Sequence, residues 1–538
     1  MNTTWADFAA ATQKSARQIT DETVTLPRPS SLRGFTLIAS ACALIGGCAV
    51  GPDFHKPAAP DVSDYTAHPA AGTIASPNVA GGDAQRFAKG ADISADWWTL
   101  FHSKQLNELI EQSLKKNPDL KSAQAALTVA HENVLAQRGS FFPSVTAGFA
   151  ASRQQDPPGS LAPVPSSNAF LYNLFTPQVS VSYVPDVFGL NRRTVESLQA
   201  QEQGVRFQMV ATYTTLTANV VVGAIQMASL QAQVDATREL VDSNTKMVEI
   251  LQYQFAKGAV SKLDVAAQES QLAQVKATLP PLLKQLDQQH NQLAVLGGEF
   301  PSQVADEKFE LSSLQLPQDL PLSLPSQLVA QRPDVLQAEA SMHAASAQIG
   351  IATANRLPNI QLTANAGSTA LSIGQVFKSG TGFWSLGADL TAPIFQGGTL
   401  MHQERAAKAA YVQAAEQYRS TVLTAFQNVA DSLAALEHDA EGLKAAGAAA
   451  DAAKVTLELS QRQWHAGAVG YLALLSAEQA YQQARIGLVQ AQANRFADTA
   501  ALFQALGGGW WHRDDLGQSD TTHADSNAAD STRKKNEK

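Results

Sequence analysis

The residue types that perform acid–base, nucleophilic or metal chemistry occur in this chain, but never at the spacing such chemistry needs. There is no His-Glu-x-x-His, no phosphate-cradling loop, no Gly-x-Gly-x-x-Gly, no Gly-x-Ser-x-Gly and no paired-cysteine metal spacing. His131, His290, His343, His402, His438 and His465 are scattered singly, which reads as surface or interface use. With only 6 methionines, a copper-handling stripe is not expected. No catalytic residue, metal or dissociable cofactor is assigned, and the chain does not read as an enzyme. The two cysteines, Cys42 and Cys48, lie 6 residues apart near the N-terminus and cannot staple the body of the protein. What remains is attachment chemistry: Ile45-Gly46-Gly47-Cys48 places a thiol behind an aliphatic residue and two small ones.

The segment around that thiol is an address. Arg33 precedes an apolar run of roughly 14 residues ending in small side chains, the layout of a secretory signal peptide and too short to span a bilayer. Ile45–Cys48 looks like a bacterial lipobox, which implies cleavage before Cys48 and lipid on its thiol and amino group. An ordinary signal peptide with an incidental cysteine is the alternative. Cys42, behind Ala39-Ser40-Ala41, is the poorer box and leaves with the peptide. The residues before about Leu32 are longer and more acidic than a signal needs, consistent with a start codon placed too early.

Of the 538 residues only 16% are charged, and the net charge is −9. An acidic chain whose one basic run is the terminal RKKNEK does not read as a nucleic-acid binder. After Cys48 no stretch of about 18 apolar residues occurs, so no transmembrane helix is expected.

The body is written twice. Asn117-Pro118-Asp119-Leu120 returns as Arg332-Pro333-Asp334-Val335, and Phe142-Pro143-Ser144 as Leu357-Pro358-Asn359, both 215 residues on. Val187-Phe188-Gly189 returns as Ile394-Phe395-Gln396 at 207, Gly258-Ala259-Val260 as Gly467-Ala468-Val469 at 209, and Leu296-Gly297-Gly298 as Leu506-Gly507-Gly508 at 210. The organisation expected is a signal segment 1–47, an N-terminal segment 48–92, a first repeat 93–300, a Pro-rich linker 301–325, a second repeat 326–510 and a disordered polar tail 511–538.

Each repeat carries two alternating segments. In 143–152, Val145, Ala147, Phe149 and Ala151 oppose Ser144, Thr146, Gly148 and Ser152. The same alternation marks 177–184, 358–368 and 383–392, with Asp389 the only acid on a polar face. An apolar face against an uncharged polar face over these lengths suits a transmembrane barrel strand, and a secreted chain favours that over a soluble sandwich. Four strands cannot close a barrel, and open edges are not tolerated in lipid. Closure requires several chains, and three would supply twelve strands.

Between the strands and the Gly-Ala-Val stretches, proline-free helical spacing covers about 191–255 and, rich in alanine, about 400–464. Returning helices are expected over about 263–296 and 472–506, with a kink or break at Pro280-Pro281. Gly258 and Gly467 each end a long rod where a left-handed turn is needed. The Ala259-Val260 and Ala468-Val469 steps are exposed at these tips unless something binds them.

In this order the motifs resemble the outer-membrane efflux factor family, TolC/OprM type, in its lipoprotein (NodT-like) branch. The matching residues are Cys48-Ala49-Val50-Gly51-Pro52-Asp53-Phe54 with Pro57; Trp97-Trp98 with Phe101 and Leu106; Asn117–Leu120; Phe142-Pro143; Asp186-Val187-Phe188-Gly189; Arg332–Val335; Pro393-Ile394-Phe395-Gln396-Gly397-Gly398; and both hairpin tips. The resemblance implies an α+β membrane protein. Its homotrimer would form a twelve-stranded outer-membrane β-barrel continued by a long periplasmic α-helical barrel. It implies a passive duct for small amphipathic compounds, with a lipid anchor at Cys48 in the outer membrane. It also implies a periplasmic adaptor (membrane fusion protein), expected to dock at Gly258, Ala259, Val260, Gly467, Ala468 and Val469, and an inner-membrane pump of the resistance-nodulation-division (RND) type that would drive export.

Where the family typically continues Tyr-Leu-x-x-Leu-Asp-Ala-Gln-Arg, this chain reads Tyr471-Leu472-Ala473-Leu474-Leu475-Ser476-Ala477-Glu478-Gln479. The resemblance makes Leu472 and Leu475 the constriction of a periplasmic gate. The family's acid is Ser476 and its arginine Gln479, so that pair is absent. Asp264 is the acidic candidate at the mouth, or else a carboxylate that helps its helix N-terminus. Two other readings stand beside the efflux duct: a type I protein-secretion duct of the same fold, and a structural periplasmic coiled-coil lipoprotein.

Overall fold

The computed structural model describes residues 49–77, 79–157, 169–303, 309–513 and 516. Cys48 and the signal segment lie outside the described residues, as do 514–515 and 517–538 of the tail.

In chain order the elements are β1 (Arg86–Lys89), α1 (Lys104–Lys116), α2 (Pro118–Arg138), β2 (Ser144–Gln155), β3 (Leu171–Tyr183), α3 (Leu190–Ala256) and α4 (Lys262–Leu296). Then follow β4 (Asp319–Leu322), α5 (Pro325–Gln331), α6 (Pro333–Ala354), β5 (Asn359–Ser368), β6 (Gly382–Thr391), α7 (Thr399–His465) and α8 (Tyr471–Ala505). The repeat read from scattered motifs is structural: α3 and α7 have 67 residues each, and α4 and α8 have 35 each. A 67-residue helix is about 100 Å long at 1.5 Å per residue.

The Asn-Pro-Asp and Arg-Pro-Asp motifs have one job in both repeats. Asn117 Oδ1 accepts from the Asp119 and Leu120 amides at the start of α2, while its Nδ2 donates to Leu296 O at the end of α4, 3.0 Å away. Arg332 donates to the Asp334 carboxylate and, at 2.8 Å, to Ala505 O at the end of α8. Each motif thus starts one helix with proline in its first turn and satisfies the orphan carbonyl of another.

The chain forms two compact units. One comprises 1–61, 129–203 and 339–416, and holds an antiparallel sheet in the order β2-β3-β5-β6. Its register carries like onto like. Val145, Val181, Ala364 and Leu386 form one cross-strand row, and Ala147, Val179, Ala366 and Trp384 another. On the opposite face Thr146, Ser180, Asn365 and Ser385 align. The expected alternation therefore extends across the sheet, and the apolar rows are largely uncovered: Trp384 and Leu386 are each 76% exposed, Val145 and Val179 are exposed, and Val181 and Ala364 are half-buried. The outer sides of β2 and β6 pair with nothing among the described residues. β3 begins six residues before the expected 177, because Pro177 is tolerated inside it. The β3–β5 ladder starts at Gln178↔Gly367 and resumes as a bridge at Phe175↔Ala370, leaving a gap where proline has no N–H to donate.

The other unit comprises 62–128, 204–338 and 417–538. Trp97 stacks on Phe503 at 5.1 Å and lies edge-on to Phe101, which tilts against Phe496, and Leu106 and Ile110 of the adjoining α1 are fully buried. β1 and β4 pair in parallel, with Arg86 opposite Asp319 and ion-paired to it at 2.8 Å. These four-residue strands in the N-terminal segment and the Pro-rich linker carry no alternation that a sequence reading could use. Of the kink or break expected at Pro280-Pro281, the break is absent. α4 runs through both prolines, which are exposed, so the carbonyls that lose their donors are open to water. At the start of the expected tail, Trp511 and His512 bond to Asp92, and Arg513 donates to Tyr213 Oη at 2.9 Å.

Candidate functional site: the hairpin tips and the apolar sheet

Both Gly-Ala-Val turns close in one way. Gly258 (φ +75°) donates to Phe255 O at 2.9 Å, and Ala259 to Gln254 O at 2.9 Å. Gly467 (φ +73°) donates to Trp464 O at 2.9 Å, and Ala468 to Gln463 O at 2.8 Å. These i→i−3 and i→i−5 bonds are a Schellman motif, and glycine holds the left-handed position without steric cost. The duplicated stretch is thus a duplicated helix stop.

The helix starts that follow differ. Ser261 caps α4: its Oγ accepts from the Asp264 amide at 3.2 Å, and the Asp264 carboxylate accepts from the Ser261 amide at 2.9 Å. Gly470 starts α8 with no side-chain cap.

Ala259 and Ala468 are exposed, while Val260 and Val469 are half-buried. Val260 packs with Met247, Leu457, Trp464 and Leu475 around the buried residues Leu251, Val265, Tyr471 and Leu474. The hairpins therefore share a small apolar core, with Trp464 edge-on to Tyr471 at 6.2 Å. Leu472 is 61% exposed, Ser476 is exposed and Leu475 is half-buried. Of the two leucines singled out from sequence, Leu472 faces out of this core and Leu475 borders it.

Sequence reading missed the polar seam behind the tip. Gln479 donates to Gln271 Oε1 at 2.6 Å, and buried Gln268 donates to Asn244 Oδ1 at 2.9 Å. Glu478 is buried, and burial pushes its carboxyl up to about 7. Tyr471, two turns earlier, is raised by burial and then by the carboxylates of Glu478 and Asp264. Neither Tyr471 Oη nor Glu478 Oε2 has a hydrogen-bond partner among the described residues. The signal was available in the spacing: Tyr471, Leu474 and Glu478 repeat at 3 and 4 on one helix face.

Bare apolar strands paired with long helical hairpins are an arrangement that a soluble monomer does not leave uncovered. A family model described as outer membrane efflux protein matches residues 109–299 and 324–508. The chain belongs to the outer membrane efflux protein family. The toluene efflux pump outer membrane protein TtgC of Pseudomonas putida is 29% identical over 482 residues, 88% of this chain and 96% of that protein. The pyoverdine export outer membrane protein OpmQ of Pseudomonas aeruginosa is 29% identical over 492 residues, 89% and 98%. The crystal structure of the outer membrane protein VceC from Vibrio cholerae matches with a TM-score of 0.72 at 26% identity, covering 78% of this chain and 100% of that one. As an outer-membrane efflux protein, this chain is an α+β channel component of the outer membrane.

Proposed function

We propose that three copies pool their four-stranded sheets into a twelve-stranded barrel and hang their hairpins into the periplasm as a passive export duct. The carrying observation is the sheet. Every strand carries exposed apolar side chains, Val145, Val179, Leu362 and Leu386 among them, and both sheet edges are unpaired among the described residues, a combination that lipid accepts only when the sheet closes. Lipid on Cys48 would anchor the ring. A periplasmic adaptor would dock at Gly258, Ala259, Val260, Gly467, Ala468 and Val469, linking the duct to an inner-membrane RND pump. The half-burial of Val260 and Val469 makes Ala259 and Ala468 the more accessible contacts. Leu472, Leu475, Ser476 and Asp264 would line the gate, held shut mainly by apolar contact.

The cargo reading is small amphipathic compounds. Relatives of nearly full length are named for toluene efflux and for pyoverdine export, as suits a duct whose selectivity lies elsewhere. The test is deletion of the gene with its partner pump expressed, complemented by wild type and by Ala259→Asp/Ala468→Asp. Sensitivity to amphipathic compounds, restored by wild type and not by the tip variant, supports the reading. Unchanged susceptibility on deletion contradicts it, and loss of secretion of a protein substrate instead would move the chain to a type I duct.

A further inference from the structure

The internal repeat gives a template for a contact that one chain cannot make. Within the sheet, β3 of the first repeat lies beside β5 of the second. Below this pair, the loop after β3 faces the residues that lead into β5. Val187 and Phe188 stand across from Leu357 and Pro358 around a cavity of 460 Å³. This in-chain junction is covered. Val187 and Phe188 are half-buried, and Val50 of the N-terminal segment donates to Phe188 O at 3.1 Å. Ala49 lies so close to Gly189 that a Cβ there would meet its Cα at 2.7 Å.

The equivalents in the repeat are bare. Ile394-Phe395, counterpart of Val187-Phe188, follows β6 and is 95% and 88% exposed. Phe142, counterpart of Leu357, precedes β2 and is 72% exposed. β6 and β2 are the two edges of the sheet. Three strand spacings, roughly 14 Å, separate them within a chain. The neighbour that β6 lacks, in the place β5 holds beside β3, is β2 of another copy.

We infer that Ile394 and Phe395 of one copy seat against Phe142-Pro143 of the next, sealing the seam between subunits at the helix-side end of the strands. The occupant is a second copy of this chain, because the exposed apolar residues sit at both edges, unpaired among the described residues, and repeat a junction already formed in-chain. The single N-terminal segment covers the first-repeat loop, so the second-repeat loop takes its cover from the neighbour. The inference rests on the pooled-sheet reading.

The test is cysteine crosslinking of the full chain in outer-membrane fractions. Phe395→Cys and Phe142→Cys chains carrying different tags are co-expressed and treated with a short bis-maleimide, and the double variant is treated in parallel. A covalent dimer bearing both tags, and a dimer–trimer ladder from the double variant, are expected. Each single variant alone should stay monomeric. Native mass measurement of untreated wild type separates the failures. A trimer without the mixed-tag dimer overturns this seam and leaves the pooled sheet standing, whereas a monomer overturns both.

Discussion

Replacing Glu478 with glutamine should remove a pH dependence from the hairpin tip. Glu478 is 7% exposed, and burial is the only influence that moves its carboxyl, from an ordinary 4.5 to about 7. When the tip opens, water returns the carboxyl to its ordinary value. The closed tip therefore binds a proton over a pH range in which the open tip has released it. The closed state is fully stable below about pH 4.5, loses ground as pH rises through that range, and is at its weakest above about 7. At about 1.4 kcal/mol per pH step, the loss amounts to about 3.5 kcal/mol, or roughly three hundredfold in the opening equilibrium. Glutamine keeps the shape and cannot ionise. Hydrogen exchange of peptides spanning 457–480, normalised to intrinsic rates, reads the opening directly. Wild type and Glu478→Gln should be about equally protected near pH 4.5, with wild type roughly three hundredfold less protected at pH 8. Parallel profiles across that range would refute the reasoning.

Leu386→Arg, on the exposed apolar row, should cost about 2–4 kcal/mol if that row meets lipid, seen as loss of heat-modifiable oligomer from the outer-membrane fraction. Ser385→Arg, on the polar row, should keep the oligomer. Gly258→Ala and Gly467→Ala meet no neighbour within 4 Å but force alanine to φ +75° and +73°, so each should loosen its own tip by about 1–2 kcal/mol in hydrogen exchange and leave the rest of the chain unchanged. Arg495→Met removes a buried guanidinium that donates to Leu436 O at 2.9 Å and to Thr73 and Asp83, and should lower thermal stability by about 2–4 kcal/mol.

Much of this was legible in the sequence because the informative signals are periodic. Alternation over 143–152 and 383–392 located β2 and β6, 3–4–7 spacing without proline located α3, and an equally unbroken alanine-rich run located α7. Glycine at 258 and 467 marked both stops because only a left-handed residue completes a Schellman turn. The misses have physical causes. Pro177 hid the first half of β3, since a ladder can skip one position. Pro280-Pro281 suggested a break that an exposed helix face tolerates. β1 and β4 are too short to alternate. At the tip, the 3–4 spacing of Tyr471, Leu474 and Glu478 marks one helix face, but a glutamate at such a position ordinarily reads as the solvated side of a helix. That this face is the buried one is decided by packing.

The central claim is that the exposed apolar rows face lipid and the opposite rows face water in a sheet shared among copies. Single cysteines at Val145, Val181, Trp384 and Leu386, and at Thr146, Ser180, Asn365 and Ser385, tested in native outer membranes, address it most directly. The account predicts that the first four react with a lipid-phase probe and resist an aqueous maleimide, and that the second four do the reverse. Protection of the first four from both reagents, in a chain that elutes as a water-soluble monomer, would contradict it.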